Sequence, residues 1–149
     1  MEEQFARLVN LLWGECIQNL SSILDESEQS KFTNNDYYYL YVIEELGEPN
    51  FSAIAQALNL TKPGVTAIVR KLCNMGLVMK RQSEADKRVY YVSLTQKGKD
   101  ILNGDRAVYK RVTESISSFC KTKEEEQFME NIIGMLVHKL EKKEEKNEL

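Results

Sequence analysis

A mostly helical fold carrying one small β-hairpin is what this 149-residue chain predicts. Apolar residues recur at helical spacing through most of its length. Only two prolines, Pro49 and Pro63, interrupt them. One stretch, residues 77–94, changes period: β-branched and aromatic residues flank a short polar link. A hydrophobic share of 42% supports a packed core and argues against disorder. The length fits one domain, or one small domain with appended helices.

The elements follow in order. Residues 3–25 set Phe5, Leu8, Val9, Leu12, Cys16, Ile17, Leu20 and Ile23 on one helical stripe. Thr33 can cap a second helix, with Asp36 three residues on. That helix carries Tyr37 to Leu46; Gly47 is suited to a left-handed stop, and Pro49 blocks continuation. Asn50 or Ser52 can cap a short third helix with Ile54, Ala55 and Leu58, and Asn59 suits the turn ending it. Thr61 caps a fourth helix, with Pro63 in its first turn, running to about Asn74 before Gly76. Residues 77–81 and 89–94 then read as strands around the polar tip 82–87. Thr95 opens a helix over about 96–119, and Thr122 to Glu125 forms a capping-box pattern for a last one. The final residues, 141–149, are mostly Lys and Glu and are expected to fray. A short helix, a tight turn, a second helix and a hairpin make a winged helix-turn-helix.

Charge is distributed unevenly. The net charge is −3, yet residues 1–60 carry −8 and residues 61–99 carry +7. A basic third on an acidic chain fits a nucleic-acid-binding face, and from charge alone it fits a solvated surface equally well. On the fourth helix, Val65, Ile68, Val69 and Leu72 define a buried stripe. Lys62, Pro63, Thr66, Ala67 and Arg70 fall on the opposite side. Pro63, Gly64 and Ala67 permit close approach to a duplex. Thr66 can donate or accept a hydrogen bond, and Arg70 can reach guanine or a phosphate. The helix N-terminus favours phosphate through free N–H groups and its dipole. The hairpin gathers Lys80, Arg81, Lys87 and Arg88 at one edge and tip, which suggests an anionic partner. Arg88 suits a narrow minor groove, and Asp86 can orient it or only stiffen the turn. The candidate DNA contacts are therefore Ser52, Thr61, Lys62, Pro63, Gly64, Thr66, Arg70, Lys71, Arg81, Asp86, Lys87 and Arg88.

Other classes find little material. His138 is the single histidine, and Cys16, Cys73 and Cys120 have neither disulfide nor zinc spacing. No nucleophile–base pair, phosphate-cradling glycine loop or metal set is present, so no enzyme and no cofactor are expected. No membrane span is expected, and the acidic start Met1-Glu2-Glu3-Gln4 is unlike a secretory leader. The expectation is a soluble, cytoplasmic chain.

The run Asn59 to Leu72, then Gly76-Leu77-Val78, Asp86-Lys87-Arg88 and Val92 to Gly98, resembles the MarR family of bacterial transcriptional regulators. Asp-x-Arg followed by Leu-Thr-x-x-Gly is the most specific part, and the helix layout matches over roughly 5–145. The resemblance implies a homodimer with interlocking first and last helices and two winged domains reading a palindromic operator. Thr61 to Lys71 would enter the major groove, and Arg88, paired with Asp86, the minor groove. Gly64 departs from the pattern, since it weakens the start of the recognition helix. It serves close backbone approach, or it reduces base contact.

The terminal helices argue for a dimer independently. Leu12, Trp13, Ile133, Leu136 and Leu140 exceed what a small winged core can cover. The expected division is an N-terminal dimerisation helix (1–30), a winged helix-turn-helix domain (31–98) and C-terminal dimerisation helices (99–149). Tyr37, Tyr38, Tyr39 and Tyr41, with Trp13, either pack internally or line a cleft of the kind where the family's phenolic effectors bind. Cys16 sits on the first helix as the sensing cysteine does in peroxide-responsive members, but packing is the plainer reading because Glu15 disfavours a thiolate. The function expected is a dimeric DNA-binding regulator, a repressor released by a small aromatic effector. The alternative is a winged-helix protein-interaction module without DNA binding.

Overall fold

The computed structural model describes residues 1–140 in full and the backbone course of 141–147. The fraying expected of 141–149 lies outside the fully described residues. The elements are α1 (Glu2–Ile23), α2 (Glu26–Gln29), α3 (Asn34–Leu46), α4 (Phe51–Ala57), α5 (Lys62–Asn74), β1 (Val78–Gln82), β2 (Tyr90–Leu94), α6 (Gln96–Phe119) and α7 (Lys123–Asn147). The α4–turn–α5 pair followed by the β1–β2 hairpin is the winged helix-turn-helix that the sequence predicts.

Capping chemistry sets most boundaries. Thr33 and Asp36 exchange side-chain and backbone bonds as a capping box for α3. Gly47 ends α3 at φ +59°. Glu48 follows at φ +52°, an uncommon conformation for a non-glycine residue. Asn50, not Ser52, caps α4, its side chain accepting from the Ala53 N–H at 2.9 Å. Asn59 turns the chain at φ +50°. Thr61 caps α5 by accepting from the Gly64 N–H at 3.3 Å. The sequence reading missed α2, although Asp25 and Glu28 form a second capping box there.

Two compact units result, Met1–Val108 and Tyr109–Leu149. In the first, Leu40, Ile43, Ile54, Val65, Val69 and Leu72 from α3, α4 and α5 form a core completed by Leu77, Val92, Ile101 and Leu102. The predicted α5 stripe holds: Val65, Val69 and Leu72 are buried and Ile68 is half-buried. The hairpin is antiparallel, pairing Val78 with Leu94, Lys80 with Val92 and Gln82 with Tyr90. A third strand is reduced to one bridge between Asn50 and Tyr91, beside a bond from the Val92 N–H to the Pro49 carbonyl.

The base of the wing explains the Leu-Thr-x-x-Gly pattern. The Thr95 hydroxyl donates to the Gly76 carbonyl at 2.6 Å and accepts from the Gly98 N–H at 3.2 Å. A Cβ at Gly98 would lie 2.2 Å from the Leu77 carbonyl oxygen, so only glycine fits there. In contrast, α1 spans 22 residues without one buried side chain. Phe5, Leu8, Val9, Trp13 and Ile17 on it are exposed. Within the second unit, Ile116, Phe119, Cys120, Phe128 and Met129 line an apolar groove of about 630 Å³. Met135, Leu136 and Leu140 on α7 are also exposed.

Candidate nucleic-acid interface

The outer face of α5 presents Lys62, Pro63, Thr66, Ala67 and Arg70 to solvent. Among the described residues, Lys62 and Arg70 have no acidic partner. Two details refine the sequence reading. Pro63 carries no N–H, and that of Gly64 is spent on Thr61. The α5 N-terminus therefore attracts anions through its dipole and Lys62 more than through a row of free amides. The Thr66 hydroxyl donates back to the Lys62 carbonyl at 2.9 Å. Its lone pairs remain, so toward a base edge it is an acceptor. A Cβ at Gly64 would meet only the Thr61 hydroxyl, at 3.4 Å, so the fold itself does not require glycine there.

Three elements converge on one cleft of about 290 Å³. Ser52 comes from the first turn of α4, Lys62 from the start of α5 and Arg88 from the wing, with Asn50 and Tyr90 beside them. Hydrogen bonds hold the wing tip. The Gln82 side chain donates to the Lys87 carbonyl at 2.7 Å, the Ser83 N–H to the Val89 carbonyl at 2.9 Å, and the Asp86 N–H to the Ser83 hydroxyl at 3.3 Å. Asp86 accepts the Arg88 backbone N–H at 2.9 Å, while the guanidinium Nε stays 3.8 Å away. Asp86 thus stiffens the turn and draws Arg88 only loosely. The Arg88 side chain is 95% exposed.

The four wing cations do not gather as the sequence suggests. Register puts Lys80 and Arg81 on opposite faces of the hairpin. Lys80 lies over the Tyr90 ring at 5.9 Å. Arg81 lies over Tyr91 at 5.3 Å and pairs with Glu48 at 3.1 Å. Only Lys87 and Arg88 occupy the tip. Lys71 turns to the flank of α5, its ammonium 2.5 Å from buried Asp36.

A second cleft of about 450 Å³ runs along that flank, where Ala67, Arg70, Lys71 and Asn74 meet Glu28 and Lys31. Lys31 escaped the sequence reading; the Asp25-x-x-Glu28 capping box is the signal that would have placed it. Lys97 donates to Glu28 and holds its carboxyl below the usual glutamate range. Tyr37 and Tyr39 pack on the core, while Tyr38 and Tyr41 face outward. Cys16, Cys73 and Cys120 are half-buried, and burial pushes the Cys73 thiol up. Among the described residues, no helix is long and apolar enough to cross a membrane.

Residues 32–90, from the start of α3 to the wing, match the sequence pattern of the MarR family. The matched segment holds every predicted contact residue. Over 106 residues the chain is 29% identical to the uncharacterized HTH-type transcriptional regulator YkoM of Bacillus subtilis, covering 68% of each chain. Over 124 residues it is 27% identical to the HTH-type transcriptional regulator SarZ of Staphylococcus epidermidis, covering 82% of this chain and 81% of SarZ. The fold is also that of S. aureus MepR. In the MepR–DNA complex the TM-score is 0.68 at 20% identity, covering 93% of this chain and 98% of MepR. MepR bound to ethidium bromide gives 0.65 at 23% identity, covering 93% and 95%.

Proposed function

We propose that the chain is a homodimeric, sequence-specific DNA-binding repressor that reads a palindromic operator. The observation that carries this reading is the convergence of Ser52, Lys62 and Arg88 on one cleft beside the exposed, cationic face of α5. Three separate elements present polar or cationic groups where a phosphate ribbon would run. The MepR–DNA complex supports the same reading by its fold.

In this reading α5 lies in the major groove. Arg70 donates to guanine or phosphate, and Thr66 accepts from a base amine. Thr61, Pro63 and Gly64 keep the helix start slim enough for close approach. Ser52, Lys62 and Lys87 hold phosphates. Arg88 enters the minor groove from a tip that Asp86 stiffens, and Arg81 braces the wing. A second copy covers the apolar faces of α1 (1–30 region) and of the C-terminal helices (99–149), setting two reading heads about 34–36 Å apart. A small aromatic ligand releases the operator; the ethidium-bound form of MepR and the exposed rings of Trp13, Tyr38 and Tyr41 support that step.

Selection from a random duplex pool tests the proposal. The wild type should enrich an inverted repeat, and Arg70→Ala should enrich a different or degenerate one. Identical profiles for both would remove Arg70 from base reading. Retention of no duplex at low salt would favour a protein-interaction module instead. Sedimentation at micromolar concentration should give twice the chain mass, and a monomer would overturn the palindrome.

A further inference from the structure

We infer that Lys71 is a positioning residue of the recognition helix and not a phosphate contact, with the buried Asp36 carboxylate as its anchor. The inference rests on reading α5 as the DNA-reading helix. Asp36 stands in the first turn of α3, and its side chain is 3% exposed. One oxygen, Oδ2, accepts from the Thr33 N–H at 2.7 Å, the Thr33 hydroxyl at 2.7 Å and the Lys71 ammonium at 2.5 Å. Among the described residues Lys71 is its sole cationic partner. A carboxylate this deep needs an opposite charge.

The two residues are 35 positions apart, with all of α4 between them. Their bond joins the capped start of α3 to the last turns of α5. The core stripe of Val65, Val69 and Leu72 fixes how deeply α5 sits but leaves rotation about that stripe less constrained. An ionic tie on the flank removes that freedom and fixes where the neighbouring Arg70 points. If Lys71 swung out to a phosphate, Asp36 would keep only the neutral Thr33 donors. A solvent-screened phosphate contact returns less than that loss, so Lys71 stays inside when DNA binds.

The test separates a tie from a contact by salt dependence. A cation that neutralises a phosphate takes about one unit of the log Kd against log salt slope with it when removed. Lys71→Met should lose roughly tenfold in operator affinity while leaving that slope unchanged. Asp36→Asn should lose a similar factor, and the double variant should lose no more than either single one. A slope reduced by one unit in Lys71→Met, or affinity losses that multiply in the double variant, would overturn the inference. Should Asp36→Asn fail to fold by circular dichroism, the slope of Lys71→Met decides alone. If the wild type binds no duplex, the DNA reading falls and this inference with it; a slope loss in Lys71→Met against normal wild-type binding sinks this inference only.

Discussion

Lys71, Arg81 and Lys97 stand in the same basic stretch as Lys62, Arg70 and Lys87, yet the two sets behave differently. Each of the first three ends on a carboxylate from the acidic first sixty residues: Asp36, Glu48 and Glu28 respectively. Among the described residues the second three meet no acid. The charge asymmetry of the sequence therefore has two components. Part of it is neutralised within the fold, tying α2, α3 and the turn after α3 to α5, β1 and the start of α6. Only the remainder faces outward, along the outer side of α5 and at the wing tip. A charge count over a segment overstates the surface available to a polyanion, because it cannot tell a tie from a contact.

Substitutions can break this comparison, and the largest effect belongs to the best-buried tie. Lys71→Met strands the Asp36 carboxylate. Losing one partner of a buried pair costs about 3–5 kcal/mol, and the 39% exposure of the Lys71 side chain lowers the expectation to about 1–3 kcal/mol. Denaturant midpoints would measure it. Arg88→Ala should do the reverse: stability within about 0.5 kcal/mol of wild type, and operator binding weaker by about 1–3 kcal/mol. Equal stability losses in the two variants would erase the distinction. Arg81→Ala should fall between them, with less than about 1 kcal/mol of stability lost, because both partners are more than half exposed. A thermal melt shifted as far as that of Lys71→Met would rank Arg81 among the structural ties.

Most of the helix-turn-helix was legible because its boundaries are chemical. Thr33, Gly47, Asn59, Thr61, Gly76 and Thr95 each carry a turn or cap preference strong enough to be read locally. Asn50 won the α4 cap over Ser52 only because the helix starts two residues earlier, which composition does not decide. The short α2 was overlooked because four residues show no periodicity, and Lys31 went with it. The partition of cations was not legible at all. The Lys71–Asp36, Arg81–Glu48 and Lys97–Glu28 pairs span 35, 33 and 69 residues, so tertiary packing alone creates them. The opposite facing of Lys80 and Arg81 was legible from strand alternation, which a count of neighbouring charges along the sequence ignores. Gly64 looked like a defect by helix propensity. An added Cβ would meet only the Thr61 hydroxyl, at ordinary contact distance, which makes glycine a surface choice, consistent with a helix start kept slim for a groove.

The smallest effect concerns the Lys97–Glu28 tie and is read by titrating toward acid. Hydrogen bonding from Lys97, with a further bond from the Asp25 backbone, holds the Glu28 carboxyl below its ordinary value of 4.5. Folding thus favours the ionised form. The tie contributes stability above the unfolded-state value, near pH 4.5, and loses it as pH falls through the lowered folded value. Glu28→Gln should therefore be slightly less stable than wild type at neutral pH, and wild type should lose stability more steeply on acidification below about 4.5, closing that gap. Acid titrations followed by circular dichroism at fixed denaturant would compare the two slopes. Parallel curves would mean that Lys97 and Glu28 meet without linkage to folding. That outcome would leave Lys97 with only its 3.3 Å bond to the Met75 carbonyl, and would move it from the tied set toward the free one.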